Sequence, residues 1–224
     1  MVKTRTAIFF DLDGTLCDPR EGIVRCLRYA FEQLGYSSPP DHLLERYIGP
    51  PLYETFASLL NSNDVQFIEK AVGLYRQRFA SKGMYENTVY AGITDALTVL
   101  RKKEFNLFVV TSKPTIFAKK IAVHYGLKRF FAKIYGGELD GSRSDKGELI
   151  AHVLREEKIP PSDAVMIGDR EHDIKGALAN EVFPIGVLWG YGTREELTEA
   201  DAALLCESPQ ALVNWLCFRR AVDP

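Results

Sequence analysis

The stretch AIFFDLDGTLCD, residues 7–18, decides how the rest of the chain is read. Its first four residues are apolar and unbroken, the pattern of a strand buried on both faces. Asp11, Asp13 and Asp18 follow within a few positions. Carboxylates at the end of a buried strand repel one another and lose hydration, so they need either a solvated turn or a compensating charge. Taken alone, D-x-D before Gly14 also fits an ordinary turn with a capping aspartate.

Further apolar runs occur at 107–110 (LFVV), 164–167 (AVMI) and 183–188 (FPIGVL). Helical patterns alternate with them, most clearly at 116–125, 146–157 and 209–218. That alternation predicts an α/β fold, a Rossmann-like three-layer core around a mostly parallel sheet. One region breaks it. After the first strand the pattern is helical only, with Ile23, Leu27, Ala30, Phe31 and Leu34 at helical spacing, then GYSSPP, then helices predicted at 43–48, 53–60 and 65–80. An all-helical block, residues 17–85, is therefore expected as a cap inserted into a core made of 1–16 and 86–224.

The totals narrow the class. The 224 residues carry 28 lysines and arginines against 30 acids, a net charge of −2, so no basic surplus points to a nucleic-acid polymer. Apolar residues make up 46 %, yet no run approaches a membrane span and no signal-peptide core opens the chain. Cys17, Cys26, Cys206 and Cys217 are far apart and read as free thiols of a reducing compartment, so a cytoplasmic location is expected. No exposed apolar stripe stands apart from the core pattern, and no oligomer is assigned.

Three of the apolar runs end in polar residues of a particular kind. The first leads into Asp11 and Asp13, the second into Thr111, Ser112 and Lys113, and the third into Gly168, Asp169 and, four positions on, Asp173. Ligands of open parallel sheets bind beyond the strands' carboxyl ends, so these groups are expected to meet in one pocket. Each has a plainer reading: Asp169 as a helix cap, Thr111 as a strand end, Lys146 in RSDKGELI as an exposed first-turn lysine. Their joint occurrence in this order is what speaks for a site.

In these motifs the sequence resembles the haloacid dehalogenase superfamily. FDLDGTL is similar to its first motif, VVTSK to its second, Lys146 to its third, and IGDREHD to its fourth. YIGPPL, ELDGSRSDKGELI and GVLWGYGTREEL further resemble the branch of phosphoglycolate phosphatases and 5′-nucleotidases. The resemblance implies a Mg²⁺-dependent phosphatase acting on a small phosphorylated metabolite, with no membrane partner. It implies Asp11 as nucleophile, Asp13 as general acid and base, and Thr111 and Lys146 as their catalytic companions. Asp11, Asp169, Asp173 and the backbone carbonyl of Asp13 are implied at the metal, and Gly14, Thr111, Ser112 and Lys146 around the phosphate. Physical chemistry agrees with such a set. A carboxylate ~4 Å from a phosphate charge is repelled by ~4 kcal/mol at an effective dielectric of ~20, which a cation and a lysine relieve.

Asp13 argues against dehalogenation, since the family's dehalogenases lack an acid there. A phosphomutase or phosphotransferase, and an idle binding protein of the same fold, stay open as alternatives. Arg20, Arg46, Tyr53 and Lys113 are the candidates for substrate contacts, Arg46 equally fitting a solvated helix face. Trp189 and Tyr191 are expected either beside the site entrance or in loop packing.

Overall fold

The computed structural model describes residues 7–222. The strands are β1 (Ala7–Phe10), β2 (Cys17–Asp18), β3 (Thr88–Val89), β4 (Asn106–Pro114), β5 (Lys133–Gly137), β6 (Ala164–Gly168), β7 (Phe183–Val187) and β8 (Leu204–Cys206). The helices before β4 are α1 (Arg20–Leu34), α2 (Asp41–Leu44), α3 (Leu52–Leu59), α4 (Val65–Ser81) and α5 (Ile93–Lys102). Those after it are α6 (Thr115–His124), α7 (Lys146–Glu157), α8 (Glu171–Leu178), α9 (Arg194–Glu199) and α10 (Pro209–Val222).

Among the described residues the main sheet has six strands in the order β5-β4-β1-β6-β7-β8, every neighbouring pair parallel. The fold is Rossmann-like α/β, as the alternation predicted. Strand β1 lies between β4 and β6 because its four residues are apolar on both faces. Ala7, Phe9, Phe108, Val110, Ala164 and Met166 form one buried cluster with Leu149, Ile150 and Val153 of α7 and Ala177 of α8. The alternate residues Ile8, Phe10, Leu107, Val109, Val165 and Ile167 point to the opposite face and are buried there as well. This order brings the carboxyl ends of β4, β1 and β6 side by side.

The chain divides into two compact units, one holding the residues up to Cys17 together with Val89 onward, the other Asp18–Thr88. The second unit thus runs a little past the expected 17–85. Its end is fixed by Glu86, whose carbonyl accepts the Gly22 amide at 3.0 Å and whose carboxylate binds Arg78 at 2.7 Å. The unit is helical, cored by Leu27, Phe31, Phe56, Val72, Tyr75 and Phe79, with Tyr75 stacked on Phe79 at 5.5 Å. Asp64 caps α4, accepting from the amides of Gln66 and Phe67. Asp18 accepts the Arg20 amide at 3.0 Å at the start of α1. The helix expected at 43–48 is instead the short α2 followed by a 3-10 turn, Glu45–Tyr47. The two passages of chain between the units pair with each other as β2 and β3.

Candidate functional site

The first-motif turn is built by its own backbone. The Gly14 amide donates to the Cys17 carbonyl at 2.8 Å, and the amides of Leu16 and Cys17 both reach the Leu12 carbonyl. Gly14 sits at φ +83, and a Cβ there would fall on the Asp169 carboxylate. Glycine is therefore required both for the turn and for the close approach of the third strand end. The Asp11 amide donates to Ile167 at 2.9 Å, which fixes Asp11 against β6.

One oxygen each of Asp11, Asp169 and Asp173 lies within 4.8 Å of the others, and all three residues are buried. Lys146, the first residue of α7, reaches into this cluster. Its ammonium donates to Asp11 Oδ1 at 2.8 Å, to Asp173 Oδ1 at 2.7 Å and to the Val110 carbonyl at 3.0 Å. The lysine is only 5 % exposed, so the reading of Lys146 as an exposed first-turn residue is corrected. Asp145 caps the helix at the Glu148 amide, and the next side chain is drawn inward by the two carboxylates that it meets. Asp173 is held from its other side, Oδ2 accepting the Arg170 amide at 3.2 Å.

Asp169 is fully buried, with Oδ1 accepting the Thr15 hydroxyl at 3.1 Å and Oδ2 the Tyr191 amide at 2.9 Å. The Trp189 indole donates to the Thr15 carbonyl at 2.9 Å. The segment around Trp189 and Tyr191 is thus a brace for Asp169 and for the first-motif turn. Sequence reasoning missed Thr15 and the Tyr191 amide. The signals were a hydroxyl directly after Asp-Gly and the two glycines of WGYG, which free backbone for close approach.

Desolvation raises the pKa of the Asp169 carboxyl well above the ordinary range, and the charges of Asp173 and Asp11 raise it further. Burial likewise raises Asp13 and Asp173, against the pull of Lys113 and Lys146 respectively. Burial works against the Lys146 ammonium, but Asp11 and Asp173 outweigh it and hold its pKa above the ordinary value. With all four buried carboxylates ionised against two ammonium groups, Lys146 and Lys113, the cluster carries an excess of two negative charges, which adds to burial in raising these pKa values in the absence of a divalent cation. The cluster therefore suits a divalent cation: hard carboxylate oxygens, an uncompensated charge of matching size, and a partner network that fixes Asp169 from behind.

Thr111 and Ser112 fall in a bulged stretch of β4, where the pairing with β5 shifts between Thr111 and Pro114. The Thr111 hydroxyl accepts the Lys113 amide at 3.3 Å. The ammonium of Lys113, a candidate for substrate contact, lies 2.5 Å from Asp13 Oδ2. Arg20, Arg46 and Tyr53 belong to the helical unit. There Arg20 pairs with Glu45 at 2.6 Å, Arg46 is exposed, and Tyr53 carries the Arg76 guanidinium 5.8 Å above its ring.

The parallel α/β core thus carries buried carboxylates at two neighbouring strand ends, those of β1 and β6, bridged by one buried lysine. Residues 8–187 match the family described as haloacid dehalogenase-like hydrolase. A 5′-nucleotidase of Pseudomonas aeruginosa is 45 % identical over 205 residues, 92 % of each chain. The tyrosine-protein kinase PtkA of Mycobacterium tuberculosis is 34 % identical over 88 % of this chain and 67 % of its own. The crystal structure of a predicted phosphatase from Clostridium acetobutylicum superposes with a TM-score of 0.91 at 39 % identity, covering 95 % of this chain and 98 % of that one. The chain belongs to the haloacid dehalogenase-like hydrolases, among their phosphoric monoester hydrolases. Among the described residues no helix is long and apolar enough to cross a membrane.

Proposed function

We propose that the chain is a Mg²⁺-dependent phosphatase of small phosphorylated metabolites that works through an aspartyl-phosphate on Asp11. The observation that carries this reading is the Lys146 ammonium shared between Asp11 and Asp173 inside a buried acidic cluster. Asp11, Asp169 and the backbone carbonyl of Asp13 hold the ion, with Asp173 fixing Lys146 beside them. When bound, the ion supplies the positive charge that lets a carboxylate approach a phosphate dianion.

The chain's own residues do the rest. Asp11 attacks phosphorus, splitting one slow hydrolysis into two steps. Asp13 gives a proton to the departing alkoxide and later takes one from the attacking water. The Thr111 hydroxyl and the Ser112 amide hold phosphoryl oxygens, Gly14 brings the turn close to them, and Lys146 balances their charge. Asp18–Thr88 acts as a cap that admits small substrates, with Arg46 and Tyr53 as its candidates for substrate contacts. Arg20 is a weaker candidate because Glu45 already holds it. The reading carries a cytoplasmic location, which the four free cysteines support.

Nucleoside 5′-monophosphates rank ahead of phosphoglycolate as substrates, because the relative at 45 % identity is named a 5′-nucleotidase while one named a phosphoglycolate phosphatase stands at 28 %. A second reading, transfer of the phosphoryl group to an acceptor hydroxyl, draws support from the mycobacterial relative named a tyrosine-protein kinase. A screen over nucleoside monophosphates, phosphoglycolate, sugar phosphates and pyrophosphate, read as kcat/KM with and without EDTA, tests the proposal. Release of inorganic phosphate that stops in chelator and returns with Mg²⁺ is expected. Full activity in chelator contradicts the metal, and a phosphorylated acceptor in place of free phosphate favours transfer.

A further inference from the structure

Two lysines enter the acidic cluster, and they serve different carboxylates. Lys146 holds Asp11 and Asp173. Lys113 sits 2.5 Å from Asp13 Oδ2, and its side chain is only 8 % exposed. Asp13 is itself 9 % exposed, and its other oxygen, Oδ1, is buried without a hydrogen-bond partner among the described residues. A buried carboxylate oxygen with no donor is costly and uncommon, and it marks a place where a hydrogen or a ligand atom belongs.

The position of Lys113 follows from the local backbone. The register shift between Thr111 and Pro114 lifts the segment out of the regular ladder, and the Thr111 hydroxyl takes the Lys113 amide. An ammonium is a donor only. The oxygen that receives its hydrogen is the less basic of the two, so a proton on Asp13 resides on Oδ1.

We propose that Lys113 is a positioning residue for Asp13: it pins Oδ2, so that Oδ1 alone is presented as the oxygen that exchanges protons with the reacting group. This rests on the reading of Asp13 as general acid and base. In the first step an Asp11 oxygen bonds to phosphorus, the P–O bond to the leaving group breaks, its electron pair stays on that oxygen, and the Oδ1 proton moves there. In the second step water adds to phosphorus, the bond to Asp11 breaks, and Oδ1 takes the proton that the water gives up. The lysine changes no bonds. It fixes which oxygen acts and where it stands.

The test is the dependence of kcat/KM on the leaving group in the Mg²⁺-loaded enzyme. A nitrophenolate departs unaided, whereas the alkoxide of a nucleoside 5′-monophosphate needs the proton. Lys113→Met is expected to lose about 100-fold on the nucleotide, the cost of a misplaced catalytic group, and no more than about threefold on p-nitrophenyl phosphate. Lys113→Arg, which keeps a cationic donor, is expected to restore most of the lost selectivity, and it carries the test if the methionine variant fails to fold. Equal losses of Lys113→Met on both substrates, a change confined to KM, or no loss at all would overturn the assignment. A selective loss in Lys113→Arg as large as that expected for methionine would do the same. Asp13→Asn serves as the reference. A steep leaving-group dependence there with none in the Lys113 variants removes only the role of Lys113. Absence of the dependence in Asp13→Asn removes the acid reading on which it rests.

Discussion

Replacing Lys146 by Met removes the one cation that, among the described residues, touches both Asp11 and Asp173. The side chain is 5 % exposed and makes contacts of 2.8, 2.7 and 3.0 Å to Asp11, Asp173 and the Val110 carbonyl. Methionine fills a similar volume, so the loss is electrostatic: two buried carboxylates are left facing each other and the negative excess grows by one. Breaking a buried pair in this way costs about 3–5 kcal/mol. At roughly 2–4 °C per kcal/mol for a chain of this size, the melting temperature of the metal-free protein falls by about 6–20 °C. Trp189 and Trp215 both lie in the larger unit, so tryptophan fluorescence in a urea titration reads the unit that holds the site. Added Mg²⁺ stabilises the variant more than it stabilises the wild-type protein, because it meets a larger uncompensated charge. The kcat falls by about 10²–10³ even where folding is complete. A loss below about 1 kcal/mol, with Mg²⁺ acting equally on both proteins, would refute the shared-lysine picture.

Other expectations follow from named contacts. A Cβ at Gly190 would overlap Asp169 and the Gly14 carbonyl, so Gly190→Ala displaces Asp169 and lowers Mn²⁺ affinity about 10–100-fold by electron paramagnetic resonance; unchanged affinity argues against the brace. Glu86 is held below its ordinary carboxyl range by the hydrogen bond from Arg78, with help from Arg25 and against desolvation. Its folded pKa is depressed, so its stabilisation is complete above the unfolded value of 4.5 and fades as pH falls through the folded one. The stability gap between wild type and Glu86→Gln therefore narrows in acid, and a gap constant down to about pH 3 contradicts the clasp. Burial pushes the Cys206 thiol up to about 11, whereas Cys217 is half-buried. A thiol reagent near neutral pH should label Cys217 first, and equal rates by mass spectrometry would contradict the burial of Cys206.

The parts of the fold that were legible are those in which one physical signal dominates. AIFF, LFVV and AVMI are continuous apolar runs, and each is a central strand. The helix expected at 146–157 has the bounds of α7, because Asp145 caps it and the left-handed Lys158 ends it. β5 was not legible: KIYGG is an edge strand with two glycines, and its pairing is supplied by β4 rather than by its own composition. β8 and the β2–β3 pair are two or three residues long, too short for any period to register. The acidic cluster that the structure brings together, Asp11, Asp13, Asp169 and Asp173 with Lys146, was legible because these residues stand at or just beyond strand and helix ends. Their partners were not. The Thr15 hydroxyl, the Tyr191 amide and the Trp189 indole act through geometry that no spacing encodes. Lys113 shows the limit most clearly, since a lysine after a strand gives no sign of whether it faces substrate or a neighbouring aspartate.

The central claim is that Asp11 carries the phosphoryl group. Borohydride added to the enzyme during turnover of a nucleoside monophosphate reduces an acyl phosphate to the alcohol, and peptide mass spectrometry locates the reduced residue. The account predicts homoserine at position 11, dependent on substrate and on Mg²⁺ and lost in Asp11→Asn together with turnover. Reduction at another carboxylate, or full turnover by Asp11→Asn, would contradict it.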